Sequence, residues 1–205
     1  MNIAILLFDG VDLLDAGGPY EVFLTASRLA RRDNDVRSSV PLFDVVTVTV
    51  DGQPVTAFGG LGLTPHGSSK LLPAADALIV PGAVDLECLL ANRPALELIR
   101  HFASMQDKVV ASVCTGAFLL AEADLLQGRN WTTHFEDIDL LSEKLGPERA
   151  KRNTRWVDTG EIVTAGGLSS GIDMSLHLVH RLAGLKLAKD TSRQICYAWS
   201  ELMSD

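Results

Sequence analysis

The sequence has few cysteines, and their placement excludes two kinds of site. Only Cys88, Cys114 and Cys196 occur in 205 residues, with no CxxC pair and no cysteine–histidine spacing typical of zinc ligands. An odd number of widely separated cysteines also argues against a disulfide framework. We therefore expect reduced thiols, no metal site and a cytoplasmic protein.

Positive charge and long apolar runs are also scarce. The chain has 18 basic and 26 acidic residues, which gives a net charge of −8, and no basic patch is present to follow a phosphate backbone. The apolar run at residues 3–8 is too short to span a bilayer or to act as a signal core. We expect neither nucleic acid nor a membrane as a partner.

Apolar residues are plentiful and follow an alternating pattern. They make up 47% of the chain, enough for one core but few for two, so a single domain over residues 1–205 is expected. Strand-like runs occur at residues 2–8, 45–50, 77–80, 108–113, 156–157 and 162–163. They alternate with helical patterns at residues 17–31, 94–105, 116–124, 139–145 and 172–182. A surface loop is expected at residues 31–39. The alternation predicts an α/β sandwich around a mainly parallel sheet.

Candidate functional residues follow three of the predicted strands. Asp15 follows the first, Gly82 and Ala83 follow another, and Cys114 follows a third; ligands collect at such strand ends in open α/β sheets. A helix beginning directly behind Cys114 favours a thiolate, so a lowered thiol pKa and a nucleophile are predicted. The backbone N–H groups of Thr115 and of Gly82 or Ala83 are expected to stabilise developing negative charge.

Each of these residues also has a structural interpretation. A buried cysteine is as often an inert core residue as a reactive one. Asp15 is also suited to capping a turn before Gly17. Gly82 and Gly116 are interpreted first as residues that permit tight turns.

Four separated motifs occur along the chain in order: LLFDGVDLLDAGGPYEVF, LIVPGA, VCTGAFLLAEADLLQGRNWTTH and TAGGLSSGID. Together they resemble the ThiJ/PfpI superfamily, which is similar to class I glutamine amidotransferases, and in particular its isocyanide hydratase branch. That branch is related to the amidase-like domains of AraC-type regulators. The resemblance implies a Rossmann-like (flavodoxin-like) three-layer sandwich with a nucleophile elbow at Cys114, an acidic partner at Asp15, and usually a homodimer.

The motifs also separate the branches of this superfamily. Its proteases carry histidine after the nucleophile, where this chain has Thr115, and its deglycases carry glutamate at the position of Asp15. Relatives usually have glycine at the position of Asp124, and aspartate is expected to take the same left-handed cap conformation. The resemblance adds possible pocket residues: Gly116, His134, Gly166, Gly167 and Leu168.

The resemblance implies hydration of an isocyanide, a small-molecule substrate, to an N-substituted formamide, without metal or organic cofactor. Cys114 would attack the terminal carbon, Asp15 would supply the proton, and Thr115 would assist. A non-catalytic ligand-sensing domain and an amidase or other hydrolase are the alternatives. The sequence ends at Asp205 without space for a helix-turn-helix region, so we expect a free-standing enzyme.

Overall fold

The computed structural model describes residues 1–33 and 41–199. Its strands are β1 (Asn2–Leu6), β2 (Asp44–Thr49), β3 (Val55–Thr56), β4 (Gly62–Leu63), β5 (Gly67–Ser68), β6 (Ala77–Val80), β7 (Val109–Val113), β8 (Trp156–Asp158) and β9 (Ile162–Ala165). Its helices are α1 (Leu13–Asp33), α2 (Leu86–Ala91), α3 (Arg93–Ala103), α4 (Gly116–Glu122), α5 (Ile138–Leu145), α6 (Ser170–Ala183) and α7 (Leu185–Gln194). Short 3-10 turns cover Ser69–Ala74 and Pro147–Arg149.

Seven strands form one sheet in the order β5-β2-β1-β6-β7-β9-β8. All neighbours are parallel except the β8–β9 pair, which is antiparallel. The central strands β6 and β7 are buried along their whole length, as expected for parallel strands that are covered on both faces. Helices α1, α6 and α7 pack together, and α4 packs with α2 and α3. The predicted α/β fold around a mainly parallel sheet is confirmed.

The first helix differs from the prediction. It begins at Leu13 rather than near residue 17, so Asp15 lies in its first turn and Pro19 lies inside it. Asp15 is therefore not the turn cap that the sequence allowed. The helix also extends to Asp33, so the predicted loop at residues 31–39 starts too early, and residues 34–39 lie outside the described part. Asp124 does adopt the expected left-handed conformation, with φ +62°.

The sheet order brings the candidate residues together. Strand β6 pairs with β1 on one side and with β7 on the other, so their carboxyl ends meet at one edge. Asp15, Gly82 and Cys114 each follow one of these three strands. Among the described residues, no helix is both long and apolar enough to cross a membrane.

Candidate active site

Cys114 stands at a strained turn between β7 and α4. Its φ of +55° is unusual for a residue with a side chain. The backbone around it is held on both sides: its N–H donates to the carbonyl of Gly166 at 2.9 Å, and its own carbonyl accepts from Thr133 Oγ1 at 2.8 Å. The turn therefore fixes the direction in which the thiol points.

Two glycines allow the chain to approach this turn closely. A Cβ on Gly116 would lie 2.2 Å from the carbonyl oxygen of Val80, so only glycine lets α4 begin against the end of β6. A Cβ on Gly82 would lie 2.5 Å from Thr115 Oγ1 and 3.0 Å from Asp15 Oδ2. Both glycines thus have the backbone role that the sequence indicated.

Asp15 is fully buried beside the thiol. Its Oδ2 accepts a hydrogen bond from the N–H of Gly82 at 3.0 Å, and its Oδ1 has no hydrogen-bond partner among the described residues. Burial raises the pKa of this carboxyl to about 7. The Gly82 bond opposes that effect, the charge of Asp12 adds to it, and the contact with the Cys114 thiol again lowers the pKa. Near neutral pH the carboxyl is thus present in both its acid and its base form.

The thiol of Cys114 differs from the prediction. Burial first, and then the charge of Asp15, raise its pKa to about 12, against the lowering effect of the N–H groups of Thr115 and Leu168. The prediction that the following helix lowers this pKa is therefore wrong, because burial and a neighbouring carboxylate outweigh the helix end. The carboxyl and the thiol together carry at most one negative charge near neutral pH.

Of the N–H groups predicted to lie near the sulfur, that of Thr115 does, whereas those of Gly82 and Ala83 do not. Gly82 donates its N–H to Asp15 and Ala83 donates its N–H to Thr115 Oγ1 at 2.9 Å, so neither is available to a ligand. The Thr115 hydroxyl in turn donates to the carbonyl of Ala83 at 2.8 Å. The backbone N–H groups that face the sulfur belong to Thr115 and Leu168. The sequence analysis predicted Leu168 only as a pocket wall. Its N–H faces the sulfur because its backbone is in the left-handed region, with φ +38°, and a leucine gives no indication of that conformation.

The sulfur faces a cavity of about 310 Å³, lined by Asp12, Ala83, Val84, Leu86, Cys114, Thr115, His134, Glu136, Asp137 and Leu168. Five of the predicted site residues are among these: Ala83, Cys114, Thr115, His134 and Leu168. The other five predicted residues, Asp15, Gly82, Gly116, Gly166 and Gly167, are not among the lining residues. Gly166 and Gly167 line a neighbouring cavity, which also contacts His134 and Leu168, whereas an added Cβ on Gly82 or Gly116 would meet Thr115 or Val80.

One wall of the cavity combines a histidine with two acidic residues that the sequence analysis missed. The Nδ1 atom of His134 lies 3.5 Å from Asp137 Oδ2 and 3.8 Å from Glu136 Oε2. Burial raises the pKa of Asp137, against the lowering effect of the His134 charge. The sequence did contain an indication of these acidic residues, because three of the four residues from His134 to Asp137 are titratable.

In residues 1–33 and 41–199, no group of three or more histidine, cysteine, aspartate or glutamate side chains is arranged to hold a metal ion.

Comparisons with known proteins agree with this fold. The chain is 37% identical over 198 residues to the isonitrile hydratase of Pseudomonas putida, covering 97% of this chain and 79% of that protein. It is 29% identical to the HTH-type transcriptional regulator GbdR of Pseudomonas aeruginosa, covering 96% of this chain but only 50% of the regulator. A solved ThiJ/PfpI family protein from Pseudomonas syringae superposes with a TM-score of 0.80 at 22% identity, covering 97% of this chain and 76% of that one.

A family model also covers most of the chain. The model of the DJ-1/PfpI family matches residues 1–181, which include all the elements that surround Cys114. On this match, and on the sequence identity to the isonitrile hydratase, the chain belongs to the DJ-1/PfpI family.

Proposed function

We propose that this protein is an enzyme that hydrates a small isocyanide to an N-substituted formamide by means of Cys114 and Asp15. The observation that carries the proposal is the fully buried carboxyl of Asp15, with one unpartnered oxygen, beside a thiol that lines a cavity. The 37% identity to the isonitrile hydratase of Pseudomonas putida supports the choice of substrate.

In the first step the thiol adds to the terminal carbon of the isocyanide. Because the pKa of the thiol is raised, Cys114 passes its proton to the Asp15 carboxylate as the sulfur–carbon bond forms. Asp15 then gives this proton to the same carbon. The product is a thioimidate in which the former isocyanide carbon carries one hydrogen and is bound to sulfur and nitrogen.

In the second step water adds to the thioimidate carbon. Asp15, again a carboxylate, accepts a proton from the water and passes it to the nitrogen, so the carbon now carries a hydroxyl group. The carbon–sulfur bond then breaks, the hydroxyl proton returns to the sulfur of Cys114 through Asp15, and the N-substituted formamide leaves. The sum is one isocyanide and one water converted to one formamide.

The two key groups match what these steps require. A group that must act as acid and then as base works best when its pKa is near the working pH, and burial places the pKa of Asp15 at about 7. The N–H groups of Thr115 and Leu168 favour negative charge on the sulfur while the bond to carbon forms and breaks.

A ligand-sensing domain is the second candidate. The similarity to the regulator GbdR, over 96% of this chain, favours it. In such a domain the cavity would bind a small molecule, and neither Cys114 nor Asp15 would turn it over.

Isocyanide consumption and formamide formation, measured for several aryl and alkyl isocyanides, test the enzyme against the sensor. We expect turnover by the wild type, none by Cys114→Ala, and a loss of most activity in Asp15→Asn, with Cys88→Ser as a matched control that stays active. Thermal melts show whether each variant is folded. Absence of turnover by the folded wild type with every isocyanide would reject the hydratase, and full activity of Asp15→Asn would reject the role of the acid.

We also propose that the protein is a cytoplasmic homodimer that pairs through an apolar surface near the start of α1. Leu13 in the first turn of α1 is 44% exposed, and Phe58 and Leu61 in the β3–β4 hairpin are 60% and 53% exposed. The hairpin is tied to the approach to α1 by the Phe58 N–H, which donates to the carbonyl of Val11 at 3.0 Å. A surface of this kind, used twice about a two-fold axis, suits a symmetric dimer.

A further inference from the structure

We propose that the Cys114 cavity selects substrates that carry a positive charge, which the carboxylates of Asp12, Glu136 and Asp137 bind, and that it discriminates against anionic substrates. This inference deepens the proposed function and rests on it for the identity of the reacting group. The charge selection itself follows from the cavity and is testable without any isocyanide.

The first observation is the charge of the cavity lining. Three of its ten residues are carboxylates, and within the described part of the chain no lysine or arginine lines it. The lining residue His134 lies near two of these carboxylates, 3.5 Å from Asp137 and 3.8 Å from Glu136. Even when protonated it offsets a single negative charge, so the lining keeps a net negative charge.

The depth of these carboxylates shows where a cation would be held. The side chain of Glu136 is 71% exposed and that of Asp137 is 28% exposed, so Glu136 lies towards the solvent and Asp137 lies deeper. Val84 and Leu86 contribute apolar lining. A short apolar chain with a cationic end suits this arrangement, because the chain contacts the apolar lining while the charge stays near the carboxylates.

The second observation is that a further carboxyl, that of Asp15, lies next to the sulfur of Cys114, although it does not line the cavity itself. Asp15 is fully buried, and its Oδ1 has no partner among the described residues. The charges of Asp15 and Asp12 both act on the Cys114 thiol and raise its pKa. Negative charge in this cavity therefore reaches the reacting atom.

These two observations have a joint consequence for reactivity. A cation bound among the carboxylates reduces the negative potential at the sulfur, so it favours the thiolate as well as its own binding. An anion meets repulsion from the same carboxylates and opposes ionisation of the thiol. The charge of the substrate would thus affect both affinity and the rate of attack.

The test uses three methanethiosulfonate reagents of similar size: a trimethylammonioethyl cation, a sulfonatoethyl anion and a neutral ethyl compound. The protein is the full chain with Cys88→Ser and Cys196→Ser, so that Cys114 alone reacts. Its sulfur displaces methanesulfinate and forms a mixed disulfide, and mass spectrometry follows the rate. Each rate is divided by that of a small free thiol with the same reagent, which removes the intrinsic reactivity of the reagent.

We expect the normalised rate to favour the cation over the anion by about tenfold or more at low ionic strength, and this preference to fall as salt is added. Glu136→Gln and Asp137→Asn should each reduce the preference several-fold, whereas Glu143→Gln, at an exposed position on α5, should leave it unchanged. A normalised rate for the cation that is less than about twofold higher than that for the anion overturns the proposal. So does a preference that stays the same in folded Glu136→Gln and Asp137→Asn.

A parallel assay separates this proposal from the proposed function. It compares an alkyl isocyanide with a trimethylammonium end, a neutral analogue and one with a carboxylate end. Turnover of all three at equal kcat/KM keeps the hydratase and overturns charge selection. No turnover of any, together with cation-selective labelling of Cys114, rejects the hydratase and supports charge selection of a ligand.

Discussion

Replacing Asp15 with asparagine should stabilise the protein while removing its activity. The side chain is fully buried, and an amide of nearly the same shape keeps an oxygen that accepts from the N–H of Gly82, as Oδ2 does now at 3.0 Å. The carboxyl, in contrast, must be ionised or protonated in a fully buried position, where its charged form is poorly solvated. The substitution therefore removes a titrating group and keeps the hydrogen bond from the N–H of Gly82.

The size and sign of the effect follow from the pKa. Burial raises the pKa of Asp15 from 3.8 to about 7, so between these values the folded protein binds a proton that the unfolded chain has released. The stability contributed by this proton is complete below the unfolded pKa and is lost as the pH rises through the folded one. Since a tenfold change in proton affinity is worth about 1.4 kcal/mol, the loss amounts to at most about 4 kcal/mol.

Asparagine does not titrate, so it escapes this loss. We expect wild type and Asp15→Asn to unfold with similar free energies near pH 4, and the variant to be more stable above pH 7 by up to about 4 kcal/mol, or roughly 8 to 16 °C in Tm. Urea unfolding and thermal melts across this pH range measure the difference, with Glu143→Gln, at an exposed position, as a control that should follow the wild type. A difference that does not change with pH, or one that grows towards acid, would refute the reasoning.

Three further predictions concern the thiol, the turn and the dimer. Asp15→Asn removes a charge that raises the Cys114 pKa, so iodoacetamide should label Cys114 faster in the variant than in wild type, although activity falls. Gly116→Ala, whose Cβ would lie 2.2 Å from a carbonyl oxygen, should cost about 3 kcal/mol or more in urea unfolding, whereas Gly17→Ala, in open space on α1, should be neutral or stabilising. Phe58→Asp should halve the mass measured by light scattering; an unchanged dimer would exclude the hairpin surface.

The sequence determined the sheet and the position of the site within it. Strands β6 and β7 are short, continuous apolar runs, and such runs indicate parallel strands because both of their faces are buried. Asp15 and Cys114 could be assigned to one edge of the sheet from the sequence, since residues that follow parallel strands lie at the same edge, whereas the strand order that places both beside β6 is known only from the structure. The start of α1 was wrong because Pro19 suggested a first turn, whereas the helix continues through it from Leu13.

The tertiary structure decided the chemistry at that edge. From the sequence, the helix after Cys114 indicated a lowered thiol pKa, yet burial and the charge of Asp15 raise it, and both are set by chain segments far from Cys114 in sequence. The tertiary structure also decided which backbone N–H groups are available to a ligand. The N–H groups of Gly82 and Ala83 are not, because they donate to Asp15 and Thr115 once the loops pack together. Residue type and spacing determine which groups lie near one another, whereas desolvation and hydrogen-bond partners depend on everything packed around them.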